Sequence, residues 1–138
     1  MDDMDRDVIL VVEDDEMTRS LLCAALERLG NYIVKKSLDP EEITSLVGNG
    51  KTSLVLMDVS LQGVWLDMHQ ADGLMITRKL KENPATKHVP VVLLSAFAAP
   101  GNAEEMLKAS GADGYVSKPV DLNFLVSYVE KMLKTQKS

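Results

Sequence analysis

Apolar and polar positions along the chain fall into two alternating rhythms. Val8-Ile9-Leu10-Val11-Val12 is a continuous apolar run flanked by charge, the pattern of a strand buried on both faces. Thr18, Leu21, Leu22, Ala25, Leu26 and Leu29 then recur at helical spacing, and Gly30-Asn31 ends that helix. Tyr32 to Ser37 reads as a second, short strand. Pro40 stands where a helix begins, with Glu41 and Glu42 suited to its positive N-terminus, and Gly48-Asn49-Gly50 closes it. Ser53-Leu54-Val55-Leu56-Met57 is another apolar run, ending at Asp58, and a long loop follows. Gly73, Ile76, Thr77 and Leu80 outline a third helix stopped near Asn83-Pro84. Val89 to Leu94 is a fourth strand, a helix lies around Ala103 to Ala109, and Gly114-Tyr115-Val116 is a short fifth strand. Leu122, Leu125, Val126, Val129 and Leu133 outline a last amphipathic helix, after which the polar tail Lys134 to Ser138 is expected to fray.

Five alternations of strand and helix predict an α/β fold, a parallel sheet with helices on both faces. There is no internal repeat and no linker, and 138 residues suit one domain with one sizeable core. The expectation is a single domain over 1–138 with its core at about 7–134. Composition narrows the partners. A formal net charge of −6 offers no general attraction to nucleic acid phosphates. No apolar run is long enough to span a bilayer, and Met1-Asp2-Asp3 lacks the basic start of a signal peptide. Cys23 is the only cysteine, which rules out an internal disulfide and makes a reducing, cytoplasmic location the default.

In a parallel sheet every strand C-terminus lies along one edge, and ligands bind there where strand order reverses. The first strand delivers Glu13-Asp14-Asp15-Glu16 to that edge, the third Asp58, the fourth Ser95 and the fifth Lys118 followed by Pro119. In the order 2-1-3-4-5 the first and third strands are neighbours, so the acidic cluster and Asp58 meet. Converging carboxylates stay ionised only beside a cation, and all-oxygen ligands with waters suit Mg2+. Lys118 adds a second positive charge. A carboxylate between a divalent ion and an ammonium group is placed to attack a phosphoryl group, and the Ser95 hydroxyl can donate to its oxygens.

Together, Ile9-Leu10-Val11-Val12-Glu13-Asp14-Asp15, Leu54-Val55-Leu56-Met57-Asp58, Val92-Leu93-Leu94-Ser95-Ala96 and the run from Gly111 to Pro119 resemble the receiver domain of two-component response regulators. The resemblance covers nearly the whole chain. Ala96-Phe97-Ala98 and Lys118-Pro119-Val120 are similar to stand-alone receivers of cell-division control. The resemblance implies a flavodoxin-like doubly wound (βα)5 sandwich. It implies that Asp58 accepts a phosphoryl group from a phosphohistidine of a sensor histidine kinase or histidine phosphotransfer protein. Mg2+ is then bound by Asp14, Asp58 and the Ser60 backbone carbonyl, with Glu13 acting through a water. Lys118 pairs with the phosphoryl oxygens, Ser95 moves to bond them, and Tyr115 turns inward into the vacated space. A cis Lys118–Pro119 peptide is also implied. With no DNA-binding segment expected after the receiver, output falls to a downstream protein target at the face from the fourth strand to the last helix. The implied protein is a monomer or weak dimer without independent turnover.

Two features depart from the family pattern. Gln62 stands where a proline is usual, and the loop between Asp58 and Gly73, with Val64, Trp65, Leu66, Met68 and His69, is longer than usual. It either folds back on its own domain or presents a partner surface. Asp15 and Glu16 read as helix N-terminal charges rather than metal ligands, Cys23 as an inert core residue, and His69 and His88 as non-ligands. Three other functions compete. A haloacid-dehalogenase-like phosphatase wants a second acid two residues after Asp58, where Ser60 stands. A flavin carrier wants a phosphate loop after the first strand, where Glu13 to Glu16 repel phosphate. A degenerate docking module is opposed by the complete set of phosphorylation residues.

Overall fold

The computed structural model describes residues 6–61, 65–66, 69–96 and 100–137. Its main sheet is built from β1 (Val8–Val12), β2 (Ile33–Lys36), β3 (Leu54–Asp58), β6 (Val91–Ser95) and β7 (Gly114–Ser117). The strands are all parallel, in the order β2-β1-β3-β6-β7. Counting only these five, that is the expected 2-1-3-4-5. The helices are α1 (Glu16–Arg28), α2 (Pro40–Gly48), α3 (Gly73–Glu82), α4 (Pro100–Ser110) and α5 (Leu122–Lys137).

The continuous apolar runs have a simple cause. Successive side chains of a strand point to opposite faces, and here both faces are covered. Ile9, Val11, Leu54, Leu56, Val92 and Leu94 enter one core with Leu22 and Leu26 of α1 and Leu125 and Val129 of α5. Leu10, Val12, Val55, Met57, Val91 and Leu93 enter the other, with Ile43, Val47, Ile76 and Leu80 from α2 and α3. Each such side chain contributes about 1.5–3 kcal/mol by leaving water.

The structure adds detail at three places. Leu21 and Leu29 share the helical spacing of the core residues, yet they are 53% and 58% exposed. Leu22, Ala25 and Leu26 alone satisfy the sheet side of α1. The tail does not fray at Lys134, because α5 continues to Lys137. The long loop contains β4 (Trp65–Leu66) and β5 (His69–Gln70), which pair antiparallel. Gln62, Val64, Met68, Phe97 and Ala98 lie outside the described residues, and of Trp65, Leu66 and His69 only the main chain is described. Among the described residues no helix is long and apolar enough to cross a membrane.

Candidate functional site

Strand register assembles the site. β1 and β3 pair through Val12 opposite Met57, so Glu13 and Asp58 come side by side one step further on. β6 and β7 pair through Ser95 opposite Ser117, which leaves Lys118 just past the sheet edge, its N–H donating to the Ser95 carbonyl at 2.9 Å. The Lys118–Pro119 peptide is cis.

The Lys118 ammonium reaches Glu13 Oε1 at 2.7 Å and Asp58 Oδ1 at 3.0 Å. Both carboxylates are buried. The Ser60 N–H donates to Asp58 Oδ1 at 3.1 Å, and the Asp15 N–H to Glu13 Oε2 at 3.2 Å. Asp14 is half-buried beside them, and one carboxylate oxygen from each of Glu13, Asp14 and Asp58 lies within 4.8 Å of the others.

Electrostatics divide the two central carboxylates. Burial pushes Glu13 up, its hydrogen bond with Asp58 adds to this, and Lys118 opposes, leaving it at about 7. Burial also pushes Asp58 up, but hydrogen bonds with Glu13, Lys118 and the Ser60 N–H outweigh it and hold Asp58 below the usual carboxylate range. Of the two, Glu13 therefore takes up a proton first as pH falls, and Asp58 keeps the negative charge a nucleophile needs. Burial lowers Lys118, but its bonds to Glu13 and Asp58 more than compensate and keep it an ammonium.

Glu13, Asp14 and Asp58 bring one carboxylate oxygen each to one place, a concentration of negative charge that a divalent cation would offset. The donor set is all oxygen. Opposite ligands on Mg2+ stand about 4.2 Å apart, so small side-chain movements close the observed span. The residues present fit such an ion.

A family model for the response regulator receiver domain matches residues 9–130. The chain belongs to that family, the receivers of two-component systems. It is 29% identical over 125 residues to the polar-differentiation response regulator DivK of Brucella anthropi, a match covering 91% of this chain and 94% of the relative. It is 32% identical over 126 residues to the response regulator PleD of Caulobacter vibrioides, covering 91% of this chain but 26% of that one. The crystal structure of a putative response regulator from Chloroflexus aurantiacus aligns with a TM-score of 0.78 at 26% identity, over 94% of this chain and 98% of the other.

The receiver's remaining candidates are placed less directly. Ser95 ends β6, buried, next to the Leu94 that pairs with Asp58. Tyr115 is half-buried in β7, packed on the core that holds Met57 and Leu93, and lines a 400 Å³ cavity with Phe124 and Tyr128. Ser60 is exposed. Asp15 is the N-cap of α1, accepting from the Thr18 hydroxyl at 2.6 Å and the Thr18 N–H at 2.9 Å, and these bonds hold its carboxyl low. Cys23 is half-buried with its thiol pushed up by burial, as an inert thiol should be.

Glu13 also holds a direct ion pair to Lys118, a partner that its place in the sequence does not indicate. Two residues were missed. Arg19 Nη1 donates to the Glu13 carbonyl at 3.0 Å, bracing the acidic turn from the first turns of α1. Gly73 packs directly on the Asp58 carbonyl. Nothing in the pattern marks Arg19, whereas Gly73 is an unusual residue with which to begin a helix.

Proposed function

We propose that this receiver is a phosphorylation switch whose phosphoacceptor is Asp58. The observation that carries the reading is the buried Asp58 at the end of β3, held by Lys118 at 3.0 Å and clustered with the carboxylates of Glu13 and Asp14. An Asp58 carboxylate oxygen attacks the phosphorus of a phosphohistidine on a sensor histidine kinase or histidine phosphotransfer protein. An O–P bond forms, the P–N bond breaks, and the imidazole leaves with a proton from solvent. Asp14, Asp58 and the Ser60 carbonyl would hold Mg2+, with Glu13 acting through a water, and the ion would supply charge neutralisation for the transferring oxygens. Lys118 does the same from the opposite side, and Ser95 donates its hydroxyl to a phosphoryl oxygen. A phosphoryl group differs from a bare carboxylate in charge and size, so it biases a two-state equilibrium. We assign Ser95 and Tyr115 as the moving residues, and the face from β6 through α4 and β7 to α5 as the surface read by a downstream protein target.

The receiver acts in the cytoplasm as a single domain over 1–138, a monomer or weak dimer. It engages neither nucleic acid nor membrane and has no substrate turnover of its own. Acetyl phosphate with Mg2+ tests the core of this reading. Intact-mass and peptide analysis should place one phosphoryl group on Asp58, and beryllofluoride with Mg2+ should shift the amide resonances of Ser95 and Tyr115. Label on another residue would sink the assignment.

A further inference from the structure

Asp58 is held through its side chain and through its main chain. Lys118 Nζ and the Ser60 N–H take its side chain. Its main chain meets Gly73, the first residue of α3, and there the Asp58 carbonyl oxygen fills the direction in which an L side chain would leave. A Cβ added to Gly73 would collide with that oxygen, lie 2.8 Å from the carbonyl carbon and 3.0 Å from Met57 Cγ. Carbon atoms in ordinary contact stand about 3.5–4.0 Å apart, so the Cβ would drive α3 and Asp58 apart by on the order of 1 Å. Gly73 has no left-handed φ, unlike Gly50 at +82° and Gly111 at +79°. Close approach, not backbone freedom, is what demands glycine here.

The surrounding bonds make this contact a seat. The Gly73 N–H donates to the Val59 carbonyl at 3.1 Å, and the Val59 N–H donates to the Leu94 carbonyl at 3.0 Å. Asp72 Oδ1 caps the same helix start, accepting from the Met75 N–H at 2.9 Å. Leu61 and Ala71 are buried in the core that holds Met57. Val59 and Gly73, on either side of the long loop, are thus joined by a hydrogen bond beside Asp58.

We propose that Gly73 is a positioning residue for phosphoryl transfer. Its missing side chain lets α3 seat against the Asp58 carbonyl, and the seat fixes where the Asp58 carboxylate stands relative to Lys118, Glu13 and Asp14. This rests on Asp58 being the phosphoacceptor and adds a residue with no reactive group. Displacing a reacting group by 1 Å costs up to about a hundredfold in rate.

The test compares Gly73→Ala with the wild-type chain and with Gly101→Ala, where an added Cβ meets nothing within 4 Å. Labelling by saturating acetyl phosphate and Mg2+ affinity are both measured well below each variant's melting temperature. A purely structural glycine would lower the melting temperature and leave both native-state readouts unchanged. The expectation is wild-type labelling for Gly101→Ala, and labelling slower by roughly tenfold to a hundredfold with weaker Mg2+ binding for a folded Gly73→Ala. Wild-type rate and affinity in folded Gly73→Ala overturn the proposal. Should Gly73→Ala not fold, Asp72→Ala decides. It releases the first turn of α3 without adding an atom, and slowed labelling supports the seat while unchanged labelling overturns it. If the wild type takes no label on Asp58, the phosphoacceptor reading fails. Gly73 is then judged on Mg2+ affinity, which must fall in Gly73→Ala for the seat to stand.

Discussion

The two ends of the sheet handle charge in opposite ways. At the end where the strands begin, charged and polar groups are matched. Lys81 Nζ pairs with Asp113 at 2.7 Å and donates to the Val89 carbonyl at 2.8 Å, while Asp113 accepts from the Val91 N–H at 2.8 Å. Ser53 Oγ donates to Asp7 and accepts from the Val8 N–H, each at 3.1 Å. Arg6 donates to the Asn31 and Tyr32 carbonyls, both at 3.0 Å. At the end where the strands finish, one ammonium serves two buried carboxylates with a third beside them. The first arrangement is complete and locks loops to strands. The second crowds carboxylates together, and burial magnifies their repulsion. An excess of buried charge costs stability unless a ligand completes it, which is why it marks the working end.

The largest expected effect is on chemistry. Asp58→Asn should abolish acetyl phosphate labelling, read by intact mass, whereas Asp113→Asn at the matched end should leave labelling at the wild-type level. Next come the two lysines, compared by denaturant unfolding in EDTA. Lys118→Met strands two buried carboxylates and should cost about 3 kcal/mol, part of it restored by Mg2+. Lys81→Met breaks a partly exposed pair and should cost about 1–2 kcal/mol, with no recovery on adding Mg2+. Equal responses of the two variants to Mg2+ would erase the contrast between the ends.

A pH series sharpens it further. The folded value of about 7 for Glu13 lies above its ordinary 4.5, so between those pH values the folded chain holds more proton than the unfolded one. Metal-free stability should therefore fall as pH rises through that window. Asp58, held low, acts in the opposite sense, and its contribution is lost only as pH falls below its ordinary 3.8. Melting temperatures from pH 4.5 to 7 should slope downward in EDTA and flatten with saturating Mg2+. In Glu13→Gln they should be flat without metal, and a slope that persists there would assign it elsewhere. The smallest effect belongs to the matched end. Ser53→Ala removes two hydrogen bonds and should cost about 1 kcal/mol at any Mg2+ concentration, read from the same unfolding curves.

The candidate site was legible to the extent that chain order determines it. A buried parallel strand reads as an unbroken apolar run, so the residue that ends each run is visible in one dimension, and Glu13, Asp58 and Ser95 stand at those ends. Lys118 follows its short strand just as closely. Periodicity was weaker on α1. It groups Leu21 with Leu22, but one is half in water and the other fully buried. Spacing states which face of a helix is apolar, while the width of the buried stripe depends on what the sheet and α5 cover. The long loop concealed its short antiparallel pair because two-residue strands carry no periodic signal.

The sequence by itself determined the layers, the strand order expected for such a pattern, and the carboxylates and lysine delivered to one edge. Tertiary structure alone decided how those charges divide. That Lys118 spans Glu13 as well as Asp58, that Glu13 is pushed above Asp58 in proton affinity, and that Gly73 seats against the Asp58 carbonyl all follow from distances of a few ångströms between residues far apart in the chain. Coulombic and contact energies depend on those distances and on burial, and neither quantity exists until the strands are in register.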